Sequence, residues 1–110
     1  MSVHDDLVYV RHILRALEKV RSYTSHLSEA QFMADSLVQD AVVRQLEIIG
    51  EATKKVSTVF REQHQAIPWS HMARMRDVLI HHYWEVDLDV LWTTLNRDLP
   101  RLAPLLEALL

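Results

Sequence analysis

The sequence predicts an all-α fold, a four- to five-helix up-and-down bundle, and three observations predict it. One Gly and three Pro in 110 residues are too few for the many reversals of an all-β chain. Apolar residues recur at intervals of three and four over most of the length. Ser and Asp stand where several of these stripes begin, as helix caps do. A chain this short fits one core, so residues 1–110 are expected to form a single domain.

Leu7, Val10, Leu14 and Leu17, widened by Ile13 and Val20, predict a first helix from Asp5 to Val20. Ser28-Glu29-Ala30-Gln31 has the form of a capping box. Asp35 offers a second start, just ahead of Leu37, Val38, Ala41, Val42, Leu46, Ile49 and Val56, which predict a long central helix. The stretch STVFREQHQA is polar with two isolated large apolar residues and reads as a loop or a short helical turn. Pro68 suits the first turn of a third helix, whose stripe Met72, Met75, Leu79 carries it to near His82. Asp87 or Asp89 then caps a fourth helix bearing Leu88, Leu91, Trp92, Leu95 and Leu99. Pro100 opens a terminal piece with Leu102, Leu105, Leu106 and Leu109. That piece closes the bundle, and its apolar face could also bury against a second copy in a two-fold homodimer.

Composition narrows the function. With no Cys there is no disulfide framework, thiolate nucleophile or thiolate metal site, which fits the cytoplasm. An acidic pair precedes the first apolar positions, unlike a signal peptide, and no apolar run reaches membrane-spanning length, so a soluble protein is expected. The net charge of -3 argues against holding nucleic acid on a broad positive surface. Any site for RNA must be local.

The densest chemistry is in IPWSHMARMRDVLIHHYWEVD, residues 67–87, where from Arg76 onward a cation, two imidazoles, a phenol and carboxylates crowd into a few residues. Cutting an RNA phosphodiester without a metal needs a base for the ribose 2′-OH, an acid for the leaving oxygen, and a cation for the phosphorane. His81 and Arg76 are of those types, and the Tyr83 hydroxyl could orient the phosphate. On an ideal helix, however, Arg76 and His81 sit roughly 140° apart. They meet only if the helix ends near His81 or a second subunit completes the site. The plainer alternative is Arg76 paired to an acid, with both His at the polar end of a helix.

This region resembles the HEPN superfamily, whose signature is Arg, a few residues, then His; here it is Arg76-DVLI-His81-His82-Tyr83. The R-x4-H-x-Y form is similar to that of the HepT toxins, which pair with a minimal nucleotidyltransferase antitoxin, MntA. The likeness extends to RQLEIIGEATKKV (44–56), IPW (67–69) and VDLDVLW (86–92), and so covers most of the chain. It implies a metal-independent endoribonuclease without a cofactor, acting as a homodimer whose two motifs face a shared cleft, with Arg76 and His81 as the catalytic pair. It also implies that the antitoxin transfers AMP from ATP to Tyr83, which blocks RNA. His82, at the variable position, is either a second site imidazole or surface.

Other residues carry weaker expectations. Gly50 lies within the central helix, where it costs about 1 kcal/mol against Ala, so it marks close approach of another helix or room for RNA backbone. Arg44, Glu47 or Ile48, and Glu51 share one face. On that face Glu51 could orient Arg76 and Arg44 could hold phosphate, or Glu51 simply pairs with Lys55. Asp87 and Asp89 read as caps rather than a metal site, and His4, His12, His26, His64 and His71 lack ligand spacing. Trp69, Trp84 and Trp92 read as core, with base stacking as the alternative. The competing function is a non-catalytic helical partner of a nucleotidyltransferase, which would have no need of Arg76, His81 and Tyr83 together.

Overall fold

The computed structural model describes residues 2–77, 80–82 and 85–110 and, for 80–82, the backbone alone. Helix α1 spans Val3–Thr24, longer than its apolar stripe, because Ser2 and Asp5 form a capping box ahead of it. The box expected at Ser28 is present, with Gln31 N–H donating to Ser28 Oγ at 3.1 Å, but it opens only the short α2, Glu29–Met33. Asp35 starts α3, Ser36–Lys55, by accepting from Val38 N–H at 3.1 Å. The stretch expected as loop or turn holds α4, Thr58–Gln63, capped by Ser57 and anchored by buried Phe60. Helix α5 is Trp69–Ala73. Strands β1, Ile80–His82, and β2, Glu85–Val86, pair antiparallel, followed by α6, Leu88–Thr93, a π-helical turn over Thr94–Asp98, and α7, Leu99–Glu107.

Helices α1 and α3 form the centre of the bundle. Their antiparallel sense is fixed by buried Asp6 near the start of α1, which accepts from the Ser57 N–H (2.7 Å) and hydroxyl (2.8 Å) just beyond the end of α3. One core runs through the chain: Val10, Ile13, Val42, Leu46, Ile49, Met72, Met75, Leu91 and Leu106 are fully buried within it. Trp92 rests on Phe32 at a ring distance of 5.2 Å, tying α6 to α2, and Trp69 is buried. Both were expected in the core. Among the described residues no helix is long and apolar enough to cross a membrane.

Three expectations are corrected. The third helix does not reach His82 but stops at Ala73, where Arg74, Met75 and Asp77 N–H groups turn to carbonyls three residues back. The last two helical pieces are one continuous run from Leu88 to Glu107, with a wider turn just ahead of Pro100. A proline ring collides with the carbonyl four residues back, here Asn96, and the π turn relieves that crowding. Leu37 (79% exposed) and Leu105 (38%) stand in solvent rather than in the core stripe.

Candidate functional site

The site begins at Gly50. A Cβ there would lie 3.2 Å from the Ala73 carbonyl oxygen and 3.7 Å from that of Met72, both backbone atoms. The missing side chain therefore lets the end of α5 press against α3. This is the close helix approach that the lone glycine suggested. Buried Met72 and Met75 hold the segment down, and three-residue turns carry the chain out to Arg76.

One turn back along α3 from Gly50 stands Glu47. Its Oε1 accepts from Arg76 Nε at 3.2 Å, and its Oε2 lies 3.6 Å from Arg44 Nη1. Arg76 also approaches Asp77, at 3.8 Å. Two guanidinium groups thus share one half-buried carboxylate, although they are 32 positions apart in sequence (76 − 44). The pairs are too exposed to add much stability; side-chain exposure is 45% at Arg76 and 68% at Arg44. What the carboxylate fixes is direction. With Nε held, the Arg76 Nη2 is without a partner among the described residues, leaving an edge of the fork for an anion.

The structure brings together two of the expected residues, Arg76 and Arg44, and joins them through Glu47. Sequence reasoning placed Glu47 on the right face but assigned the orienting role to Glu51. Glu51 is exposed and pairs with Lys54 at 3.4 Å, not with Lys55. The signal that separates the two is Gly50 itself, because the segment it admits runs toward the Glu47 side of α3.

Beyond Arg76, the backbone of His81 lies in β1, which pairs with β2 in the register Ile80 to Val86 and His82 to Glu85. The side chains of His81 and His82, and all of Val78, Leu79, Tyr83 and Trp84, lie outside the described residues. Because the helix ends at Ala73, the 140° separation of an ideal helix does not govern Arg76 and His81. Asp87 caps α6, accepting from Val90 N–H at 3.1 Å, and Asp89 is exposed in that helix's first turn. Among the described residues no group of three or more His, Asp or Glu is placed to hold a metal ion. A cavity of about 940 Å³ lies elsewhere, between α1 and the run from Trp92 to Leu110.

Comparison with known proteins places this geometry in a family. Residues 13–109 match the family described as Ribonuclease HepT-like. The chain is 45% identical over 101 residues to the "Probable ribonuclease HepT" of Thermococcus cleftensis, covering 92% of each chain. It is 40% identical over 94 residues to a protein of Caldanaerobacter subterraneus subsp. tengcongensis named for an RNase, covering 86% of this chain and 84% of that one. A protein of Methanocaldococcus jannaschii, named for a gamma-glutamylcyclotransferase and an RNase, is 43% identical over 98 residues. That match covers 89% of this chain but spans only 44% of the relative's length. No solved structure matches significantly. With Arg44, Glu47, Arg76, His81 and Tyr83 all inside the matched stretch, the chain belongs to the HepT-like ribonuclease family of the HEPN superfamily.

Proposed function

We propose that this protein is a metal-independent endoribonuclease that needs no cofactor, the toxin of a type VII-like toxin-antitoxin pair in the cytoplasm, and that Arg76 and His81 cut the RNA. The observation that carries the reading is an intact Arg76, His81 and Tyr83 motif in a chain of this family, with Arg76 held by Glu47 at the edge of α3. The ribose 2′-OH loses its proton to a base and attacks the adjacent phosphorus. The P–O5′ bond breaks as the leaving oxygen takes a proton, giving a 2′,3′-cyclic phosphate and a 5′-hydroxyl end. His81 serves in proton transfer, worth on the order of a hundred- to ten-thousand-fold, and Arg76 neutralises the phosphorane. Arg44 binds a neighbouring part of the backbone, while Glu47 acts as a positioning residue. His82 is the secondary candidate beside His81.

The active form in this reading is a homodimer with both motifs on a shared cleft. Its partner is an MntA-like nucleotidyltransferase that uses ATP. The Tyr83 oxygen attacks the α-phosphorus of ATP, pyrophosphate leaves and the phenol proton is released, so the toxin carries a bulky anionic AMP beside its own cleft. RNA is then excluded by occupancy and by repulsion.

The deciding experiment expresses the wild type, Arg76→Ala and His81→Ala without the antitoxin and follows growth and RNA integrity. Wild type is expected to arrest growth and degrade RNA and the two variants to be harmless; equal toxicity of all three sinks the catalytic assignment. Incubation with the nucleotidyltransferase and ATP should add AMP to wild type and not to Tyr83→Phe, as read by mass spectrometry.

A further inference from the structure

A second cluster of cations lies around α5, apart from Glu47. Arg61 of α4 has its Nε buried and without a hydrogen-bond partner, the one such side-chain atom among the described residues. Arg61 as a whole is half-buried, but a donor N–H taken out of water and left unpaired is costly, and such a group is usually explained by something that binds it. Arg61 lines a cavity of about 450 Å³ together with Gln65, Trp69, Ser70, His71 and Arg74. Among the described residues no carboxylate lines that cavity. Arg74 gives only its Nε to the chain, a long bond of 3.4 Å to the Ser70 carbonyl, and its two terminal nitrogens have no partner among the described residues. His71 lies 4.0 Å from Asp98 at the rim. In a chain of net charge -3, two arginines on a cavity that no carboxylate among the described residues lines mark a local site for an anion.

We propose that Arg61 and Arg74 hold a phosphodiester of the RNA strand next to the one that is cut. Arg74 lies two residues before Arg76 on the same succession of tight turns, where three residues per turn set the two side chains about 120° apart, so in this proposal the strand wraps round that turn from the phosphate at Arg76 to the one at this cavity. Arginine forks suit phosphate oxygens, and Gln65 and Ser70 add neutral donors. The site sets substrate affinity and where the strand enters; it does not touch the reacting atoms. It rests on the ribonuclease reading above.

The test measures binding of a fluorescent single-stranded RNA oligonucleotide to His81→Ala protein over a range of salt, and cleavage of the same RNA by the active chain. Arg61→Gln and Arg74→Gln are each expected to weaken binding severalfold and to flatten the slope of log affinity against log salt by about 0.7, the value for one single-strand phosphate contact. KM should rise in parallel while kcat moves less than about twofold. Arg61→Lys keeps the charge and should keep the slope. Thermal melts of each variant separate a binding loss from a folding loss. In a parallel arm, the Nε–H resonance of Arg61 is followed by NMR as RNA or inorganic phosphate is added; RNA should move it at micromolar concentration and phosphate only at millimolar. Unchanged affinity and slope in both glutamine variants overturn the proposal with the ribonuclease reading intact. A resonance that follows phosphate but not RNA also overturns it, in favour of a free-anion site. If the wild type neither binds nor cuts RNA, the ribonuclease reading itself has failed and the phosphodiester assignment falls with it.

Discussion

Glu47 and Arg76 set the terms for substitutions at the site, because their bond is exposed enough to add little stability yet fixes the guanidinium's direction. Arg76→Ala is expected to lower kcat by about 10²- to 10³-fold, as removal of one transition-state donor does elsewhere, with a melting temperature close to wild type. Arg76→Lys should recover little of this, since an ammonium cannot keep Glu47 on one nitrogen and offer a fork with the others. Glu47→Gln should fall between Arg76→Ala and wild type; cleavage equal to wild type would remove Glu47 from the machinery. Asp6 is the opposite case, a carboxylate with a structural duty. Asp6 is buried, its two bonds to Ser57 are partly so and one satisfies a backbone N–H, so Asp6→Ala should cost about 1 to 3 kcal/mol. Urea unfolding would show this as a lower midpoint at unchanged slope, and a midpoint equal to wild type would contradict it. Neither role was visible in the sequence, where Asp6 is one of an acidic pair before an apolar stripe and Glu47 one of two carboxylates on a face. Both depend on partners from distant segments: Ser57, 51 positions away, and Arg76, 29 away.

At the scale of elements, the caps and stripes were legible because they are local. Ser28, Asp35 and Asp87 each accept the backbone N–H that their positions predicted. The end of the third helix was not legible, and the reason is physical. Met72 and Met75 are three apart, a spacing that a single α-helix and a chain of three-residue turns both place on one side. The periodicity therefore ran on toward Leu79 with no Gly or Pro to stop it. What ends the helix is tertiary, the seating of the Ala73 carbonyl against Gly50. Gly50→Val is expected to force α3 and α5 apart, at about 1 to 3 kcal/mol for overpacking, which lowers the melting temperature by roughly 4 to 8 °C per kcal/mol. Because the same contact delivers Arg76 to Glu47, the variant should also lose cleavage at temperatures where it is fully folded. Retained activity in the folded variant would mean that Arg76 finds its place without α5.

For the whole molecule, the question is how one small acidic bundle completes a site for a polyanion. The helix end at Ala73 removes the geometric ban on Arg76 and His81 acting within one chain, while the homodimer proposed above sets two motifs against a shared cleft. The two arrangements differ in what a mixture of dead subunits can do. In a shared cleft, a dimer of one Arg76→Ala chain and one His81→Ala chain still offers one intact Arg76 and one intact His81 across the two-fold axis. Random mixing makes half the dimers of this kind, and each has one of its two composite sites intact, so about a quarter of wild-type activity should return. If each chain cuts with its own pair, every site in the mixture lacks a residue and nothing returns. We expect the quarter, measured after unfolding and co-refolding the two variants and checked by sedimentation for a dimer of the 12.9 kDa chain. Recovery in a mixture of two Arg76→Ala preparations would expose contamination, and no recovery in the true mixture would place the whole catalytic pair in a single subunit.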